Sequence, residues 1–199
     1  ILSCLVGSEM CIRDSFYSDA MEDLSNFAIK HNIPVTQTVM GYSTMKRDHS
    51  HFLGPIGGLG GKAANNLAKQ TDLAIAVGTK LADFTTGSWA NFENPDFSLV
   101  SVNVSRFDAS KHLAQSVIGD AKVSLQELSN ALGDWKAPDE WHKKSRDELK
   151  NWNDYVDKES GPTNQELPSY AHAVGAIYRN SDPTDIAVTA AGGLVGEVV

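Results

Sequence analysis

A glycine-rich loop is the first place where this sequence could do chemistry. Gly54–Gly61 reads GPIGGLGG and comes directly before an apolar-periodic segment that begins at about Lys62. Glycine lets a backbone approach a ligand closely, and the N-terminus of a helix presents unpaired N–H groups that can bind an anion. A phosphate or a dinucleotide is therefore the first class of ligand to consider.

Neither of the two known glycine motifs fits this loop completely. A P-loop requires glycine at position 56 and serine or threonine at position 63, and the chain has Ile56 and Ala63 instead, so we reject it. Gly58–Ala63 satisfies the dinucleotide pattern G-x-G-x-x-A, and Asp83 follows at about the expected separation. That pattern must follow a strand immediately, and residues 48–54 (DHSHFLG) do not read as one. The sequence therefore disfavours a dinucleotide site.

Two pairs of ionisable residues are further candidates. His49 and His51 have an alternate-residue spacing that could chelate a metal, but the loop offers no third ligand, so we expect solvated side chains and no metal. Asp83 and Asp108 could act as a carboxylate pair. We interpret them instead as caps of helices or turns.

The loops that carry these residues depend on one central stretch, Thr71–Ser88. Leu73–Val77 is a short, wholly apolar run that stops at Gly78, which is typical of a strand buried on both faces of a parallel sheet. In open α/β sheets the loops at the carboxyl ends of strands form the ligand crevice. Gly78–Asp83 and Thr85–Ser88 would lie in that crevice, although turn residues of this kind also serve as simple connections.

The rest of the chain alternates strands with helices. Asp120 is a candidate N-cap for one helix, and Pro168 lies at or just before the start of another. This alternation predicts a doubly wound, Rossmann-like parallel sheet with right-handed crossovers. The further strands are predicted at 33–38, 98–104, 116–118 and 186–189, and the helices from Phe16 to about Asn32, at 62–70, through Val123–Leu132, through Trp141–Val156 and from Pro168.

Composition limits the function classes. The chain has 199 residues, 41% of them hydrophobic, with a net charge of −8 and scattered Lys and Arg, which argues against nucleic-acid and anionic-membrane partners. No apolar run approaches the roughly 20 residues needed to span a bilayer. Cys4 and Cys11 match no zinc or redox spacing, so we expect a reduced, cytoplasmic setting.

The first fifteen residues are interpreted separately. Ile1–Ser15 lacks a basic leading region and is interrupted by Glu9 and Arg13, so it does not read as a signal peptide. It resembles translated adapter sequence, and we treat it as non-native and exclude it from the fold prediction. The alternative is a genuine first strand around Ile1–Val6.

The remaining chain divides into three parts. Residues 16–135 are predicted to form the Rossmann-like domain, residues 136–167 a helical linker that docks through one apolar stripe, and residues 168–199 the start of a second α/β domain. The stripe consists of Trp141, Leu149, Trp152 and Val156. We expect the chain to be a fragment, because its last strand and glycine turn lack the elements that would bury them.

Four segments carry a family resemblance over residues 16–199. They read DLAIAVGTKLADFTTGSW, VNVSRFDASKH, VIGDAK and TAAGGLVGEV. The chain resembles the middle domain and the opening of the C-terminal domain of thiamine-diphosphate-dependent enzymes, and within them the hydrolases that act on a trihydroxycyclohexane-1,2-dione in myo-inositol catabolism. DFTTGS and N-x-x-R-F-D-A-x-K-H are the specific strings, whereas A-x-x-V-G-T-x-L-x-D-F would fit acetolactate synthases nearly as well. In this alignment the first middle-domain strand would be missing, because Ile1–Ser15 occupies its place.

The resemblance implies a cofactor-driven reaction. In this family thiamine diphosphate performs the cleavage, a glutamate of an N-terminal domain activates it, and a later Gly-Asp-Gly…Asn segment holds the Mg²⁺ that binds the diphosphate. The only cofactor contacts that map onto this chain are Ala191, Gly192, Gly193 and Leu194. The family pattern more often has Ser and Pro near positions 193 and 195, where this chain has Gly193 and Val195.

The sequence therefore leads to three hypotheses. The first is a fragment of a thiamine-diphosphate-dependent hydrolase that cleaves a C–C bond of a cyclic 1,2-diketone, forms a homodimer or homotetramer at full length, and is inactive as this fragment. The second is a fragment of an acetolactate-synthase-like carboligase or decarboxylase. The third is a non-catalytic nucleotide-binding or structural Rossmann-like module. No residue of the chain indicates a flavin.

Overall fold

A computed structural model describes residues 4–7, 18–38, 41–42, 44–182 and 184–186. The chain divides into two compact units, with the boundary between Leu149 and Lys150. Within the described part of the chain, no helix combines the length and the apolarity needed to cross a membrane.

Six strands and seven α-helices are described. The strands are β1 Cys4–Gly7, β2 Val35–Gln37, β3 Phe52–Pro55, β4 Leu73–Val77, β5 Ser98–Asn103 and β6 Gln115–Ile118. The helices are α1 Met21–His31, α2 Lys62–Ala68, α3 Asp83–Thr86, α4 Arg106–Ala109, α5 Ala121–Leu132, α6 Asp139–Glu159 and α7 Tyr170–Asn180, and a 3₁₀ turn covers Lys111–Leu113.

The six strands form one parallel sheet in the order β3-β2-β1-β4-β5-β6. This is the strand order of a doubly wound nucleotide-binding fold, in which the chain reverses its direction of winding between β1 and β4. The predicted fold class, a Rossmann-like α/β domain, is therefore confirmed.

Strand β4 is buried on both faces, as its apolar run predicted. Ile75 and Val77 belong to the larger hydrophobic cluster, which also contains Leu24 of α1 and Leu125 of α5. Ala74 and Ala76 point to the opposite face and pack with residues that follow β4 and begin β5. Because side chains alternate along a strand, two helical or loop layers are needed to cover these two faces.

The N-terminal segment contributes a strand at the centre of the sheet. Cys4–Gly7 pairs in register with Leu73–Ala76 of β4, and Val6 pairs with Val35 of β2. The expectation that the first strand is missing is therefore wrong for this structure, and the alternative of a strand around Ile1–Val6 overlaps the observed strand. That Ile1–Ser15 is non-native stays a prediction.

Helix α5 begins at the predicted cap. The side chain of Asp120 accepts a hydrogen bond from the backbone N–H of Val123 at 3.1 Å, and the backbone of Asp120 is extended, as an N-cap requires. This bond satisfies one of the N–H groups that a helix start leaves without a partner.

Replacing Asp120 tests this cap. We expect Asp120→Ala to lower the free energy of unfolding by about 1 kcal/mol, because the N–H of Val123 loses its acceptor. Asp120→Asn keeps an acceptor oxygen and should change stability by no more than about 0.3 kcal/mol. Urea unfolding followed by circular dichroism measures both. Equal losses in the two variants would contradict a capping role.

The segment that follows α5 is attached to α1 through a buried histidine. The His31 ring is fully buried, its Nδ1 donates to the carbonyl of Trp135 at 2.7 Å, and its Nε2 lies 3.0 Å from the Ser129 hydroxyl. The backbone N–H of Ala137 donates to the carbonyl of His31 at 2.8 Å. The start of α6 is thereby held close to the C-terminus of α1.

The predicted docking stripe of the linker is only partly buried. Trp141 and Ser145 of α6 are buried, whereas Val156 is exposed. Leu149 and Trp152 are half-buried.

The second unit is described as far as α7. Ser169 caps α7 by accepting from the N–H of His172, and the His172 ring accepts from the N–H of Ser169, which completes a capping box. Pro168 directly precedes this cap, as predicted. The strand predicted at 186–189 lies outside the described residues except for Ile186. The predicted domain boundaries at 135 and 167 stay predictions.

Candidate functional site

The candidate site is the carboxyl edge of the parallel sheet, where three loops meet. These loops follow β3, β4 and β5, and they contain the glycine-rich segment, the DFTTGS segment and the RFDASKH segment. Because parallel strands end at the same edge, the topology alone brings the three segments together.

The glycine-rich loop packs directly against the backbone of α3. The N–H of Gly58 donates to the carbonyl of Phe84 at 2.7 Å. Gly57 has a φ of +107°, and a Cβ placed there would lie 2.2 Å from the same carbonyl oxygen. Glycine is therefore required at position 57 by the contact between the two loops.

An asparagine pair reinforces that contact. The Asn65 side chain of α2 accepts from the N–H of Gly57 at 2.9 Å and donates to its carbonyl at 3.0 Å. It also accepts from the Asn91 side chain at 3.1 Å. The loops after β3 and β4 are thus held in one fixed arrangement by buried or half-buried polar groups.

The sequence argument against a dinucleotide site rested on a missing strand, and that premise is wrong. Phe52–Pro55 is strand β3, so the G-x-G-x-x-A segment does lie between a strand and a helix. However, β3 is an edge strand, whereas dinucleotides bind where the strand order reverses, here between β1 and β4. The position of the motif in the sheet disfavours that site.

The segment after β5 ties the neighbouring loops together. Asn103 is buried, donates through Nδ2 to the carbonyl of Thr79 at 3.2 Å and accepts through Oδ1 from the N–H of Ser105 at 2.8 Å. His112 bonds to the carbonyl of Leu81 at 3.1 Å, and its ring centroid lies 4.1 Å from that of Trp89. The motif N-x-x-R-F-D-A-x-K-H therefore supplies the bonds that position the β4 loop.

The two aspartates lie in first turns of short helices but are not the caps. The N-caps are Ala82 for α3 and Ser105 for α4, whose hydroxyl accepts from the N–H of Asp108 at 3.3 Å. Asp108 is paired with Lys111 at 2.6 Å, and this hydrogen bond holds the pKa of the Asp108 carboxyl below its usual value. A low pKa suits an ion pair and not a general acid at neutral pH.

Buried polar atoms and exposed aromatic rings characterise this edge. Oε1 of Gln37 and Oγ1 of Thr85 are buried and have no hydrogen-bond partner within the described part of the structure, and Thr85 lines a small cavity with Thr36 and Thr38. The side chains of Phe84 and Phe107 are each 75% exposed. The edge therefore offers hydrogen bonds and apolar contacts.

The described residues contain no group of three or more His, Cys, Asp or Glu side chains arranged to hold a metal ion. The predicted cofactor contacts Ala191, Gly192, Gly193 and Leu194 lie outside the described residues. Their assignment stays a prediction.

His49 and His51 are not the solvated side chains that the sequence predicted, because His49 is half-buried and His51 is buried. His51 is 8% exposed and its ring centroid lies 4.2 Å from that of His142. The sequence could not show this, because His142 is far away in the chain.

Comparison of the sequence with known proteins identifies a family and several relatives. Residues 13–128 match the family model described as the thiamine pyrophosphate enzyme, central domain. This chain belongs to that family. The match begins after β1 and ends within α5, so it covers most of the Rossmann-like unit of this family member.

Three relatives of this family member carry the same name, 3D-(3,5/4)-trihydroxycyclohexane-1,2-dione hydrolase. The protein of Clostridium perfringens strain 13 is 48% identical over 116 residues, which is 58% of this chain and 18% of that protein. Those of Geobacillus thermodenitrificans and Bacillus anthracis are 33% and 32% identical, and each alignment covers 92% of this chain and 32% of the relative. The chain thus spans less than a third of the length of these relatives.

Proposed function

We propose that this chain is part of a thiamine-diphosphate-dependent hydrolase that cleaves a C–C bond of a cyclic 1,2-diketone in myo-inositol degradation. The observation that carries the proposal is the 48% identity over 116 residues to a trihydroxycyclohexane-1,2-dione hydrolase. A second support is that alignments at 33% and 32% identity to two other hydrolases of that name extend over 92% of the chain.

Several residues of the motif N-x-x-R-F-D-A-x-K-H, together with one glycine of the glycine-rich loop, have a positioning role in the structure. Asn103, Ser105 and His112 hold the loops at the carboxyl edge, and Gly57 permits the close contact between two of them. In α/β domains, loops held rigidly at a sheet edge are the segments that contact ligands and neighbouring domains. We infer that the Rossmann-like unit is a supporting domain of the enzyme.

The cofactor is proposed for the complete protein. Thiamine diphosphate supplies an electron sink for C–C cleavage when it is bound, and Mg²⁺ would anchor its diphosphate. The part of the chain that the structure describes offers no metal-binding cluster and includes none of the four expected cofactor contacts. No catalytic step is therefore assigned to its residues.

The test is an assay of the complete protein, expressed from the whole reading frame of the source DNA. With thiamine diphosphate and Mg²⁺, we expect it to hydrolyse the cyclic trihydroxydione, as measured by loss of substrate and formation of a ring-opened acid. Formation of acetolactate from pyruvate, with no hydrolysis of the dione, would support the carboligase instead. Absence of both activities would overturn the hydrolase proposal.

The 199-residue chain alone should show no turnover of the dione in the same assay. The physical reason is that the activating glutamate and the Mg²⁺-binding segment expected of the family map outside this chain. The complete protein assayed at the same molar concentration is the positive control. Turnover by the short chain above the rate without protein would contradict this prediction.

The non-catalytic alternative makes a different prediction. A nucleotide-binding module would bind ADP, NAD or FAD, which titration calorimetry on the whole chain can measure. The chain should not be trimmed to residues 16–135 for this purpose, because β1 occupies the centre of the sheet. Tight binding together with an inactive complete protein would favour this alternative.

We further propose that the complete enzyme works in the reducing cytoplasm as a homodimer or homotetramer with a small-molecule substrate and no nucleic-acid or membrane partner. The net charge of −8 and the scattered basic residues support the last point. Light scattering on the complete protein measures the oligomeric state.

A further inference from the structure

Three histidines and an arginine gather where the first turns of α6 meet the loop before β3. The ring centroid of His51 lies 4.2 Å from that of His142 and 5.8 Å from that of His49. Arg146 lies one helical turn after His142, on the same side of α6. All four side chains belong to the first compact unit.

The hydrogen bonds of this cluster join three elements. His51 donates through Nε2 to Oδ1 of Asn32 at 3.2 Å, and its Nδ1 lies 2.9 Å from the Ser50 hydroxyl. The carbonyl of Ser50 accepts from Nε2 of His142 and from Nη1 of Arg146, each at 3.2 Å. One carbonyl of the loop therefore holds two side chains of α6.

The same arrangement requires a neutral His49. Its Nδ1 accepts from the backbone N–H of His51 at 3.1 Å, which an imidazole nitrogen can do only when it carries no proton. Its Nε2 lies 2.9 Å from the Ser25 hydroxyl of α1. Protonation at Nδ1 would break the bond that orders the His49–His51 turn.

The charged groups around the cluster are mainly positive. Arg146 carries a permanent positive charge, and the His142 ring stacks on that of His51, so both residues oppose a positive charge on His51. Asp48 opposes this by favouring the charged form of His49, but its side chain is exposed. Asp139 of α6 is bonded to Nδ2 of Asn32.

We propose that His49 and His51 form a proton-sensitive latch, which holds residues 139–149 of α6, through His142 and Arg146, on the rest of the first compact unit while the two rings are neutral and releases them when these rings are protonated. The latch acts through the backbone carbonyls of residues 50–52, because His142 and Arg146 both donate to that of Ser50, and Arg146 also donates to that of Phe52 at 3.2 Å.

The direction of the pH effect follows from the surroundings of His51. Burial, and then the positive charges of His142, His49 and Arg146, lower the pKa of His51 to about 4. In the released state the ring would regain its ordinary pKa of about 6.5. The released state therefore binds more protons between these two values, so the attachment is complete above about pH 6.5 and weakens as the pH falls towards 4.

Hydrogen–deuterium exchange of the whole chain tests this proposal. After correction for the intrinsic exchange rate at each pH, the protection of amides in residues 141–149 should fall about tenfold between pH 7.5 and pH 5.0, since the pKa difference allows a change of this size after screening. The amides of β4 should keep their protection over the same range. Their constancy separates local release from global unfolding.

Two variants keep the test decisive. In His51→Gln, which retains hydrogen-bonding groups without titrating, the protection of residues 141–149 should change at most about threefold between the two pH values. If this variant does not fold, an NMR titration of the His51 ring in the unmodified chain serves instead, and the pKa of His51 should lie well below its ordinary value of about 6.5. His172→Gln is the matched control, because it removes a histidine of the second unit while glutamine preserves the capping box.

Protection of residues 141–149 that does not depend on pH in the unmodified chain would overturn the proposal. So would a tenfold loss in His51→Gln equal to that in His172→Gln, or a pKa near 6.5 for His51 in the unmodified chain.

Discussion

Replacing Gly57 by alanine is expected to lower the free energy of unfolding by at least about 3 kcal/mol. Two effects add at this position. The backbone has a φ of +107°, which side chains with a Cβ rarely adopt, and the new Cβ would lie 2.2 Å from the Phe84 carbonyl oxygen and 2.8 Å from Cα of Thr85. Both neighbours are backbone atoms, so neither can rotate away.

Two glycines of the same segment separate these effects. Gly54 also has a positive φ, of +95°, but no atom lies within 4 Å of its added Cβ, so Gly54→Ala should cost only the backbone strain of about 1 to 2 kcal/mol. Gly58 lacks a positive φ, and its nearest neighbour would be at 3.6 Å, so Gly58→Ala should change stability by no more than about 0.5 kcal/mol. Urea denaturation midpoints measure all three variants. Equal losses at Gly57 and Gly58 would contradict the packing described for this loop.

Replacing Leu125 by alanine is expected to lower the free energy of unfolding by about 3 kcal/mol. Leu125 is 1% exposed and lies in the larger hydrophobic cluster, together with Leu24 of α1 and Val102 of β5. Removing its isobutyl group leaves a cavity between a helix layer and the sheet, which the surrounding side chains can fill only in part. Urea unfolding followed by circular dichroism gives the difference.

Val123 is the control on the same helix. Its side chain is 56% exposed, and alanine is the better helix former, so Val123→Ala should be neutral or stabilise the protein by up to about 0.5 kcal/mol. The two substitutions lie two residues apart on one helix, and we expect them to change the free energy of unfolding by different amounts and in different directions. A loss at Val123 as large as that at Leu125 would mean that α5 is rotated from its described orientation.

Elements with a strong local pattern could be predicted from the sequence. The apolar run 73–77 coincides with β4, and the predicted strand at 98–104 differs from β5 by a single residue. Strand β4 is covered on its two faces, and all of its residues are apolar, which is the pattern that predicted it. The N-cap at Asp120 is equally local, because it depends on one side chain and the N–H three residues later.

Elements whose order depends on distant partners were missed. Phe52–Pro55 contains glycine and proline and has no period-2 pattern, yet it forms β3 because it pairs with β2. The helices α3 and α4 have only four residues each, too short for a periodic pattern. The resemblance of Ile1–Ser15 to adapter sequence predicts no strand there, whereas Cys4–Gly7 forms β1 between β2 and β4.

The candidate site likewise combines features that the sequence predicts with features that only the folded structure shows. That the loops after β4 and β5 lie at one edge followed from the fold class, since parallel strands end together. That Asn103 reaches the carbonyl of Thr79, and that His112 reaches the carbonyl of Leu81, required the packed structure. The same is true of His51 and His142, which are separated by more than ninety residues and in contact only after folding.

The sequence by itself determined the fold class and the family resemblance of this chain. Both depend on apolar runs, helix periodicity and short motifs, which are local properties of a chain. The tertiary structure alone decided the strand order, the requirement for glycine at position 57, the pairing of Asp108 with Lys111 and the contact of His51 with His142 of α6. These features arise from contacts between residues far apart in sequence, whose distances are set only when the sheet and its covering helices pack together.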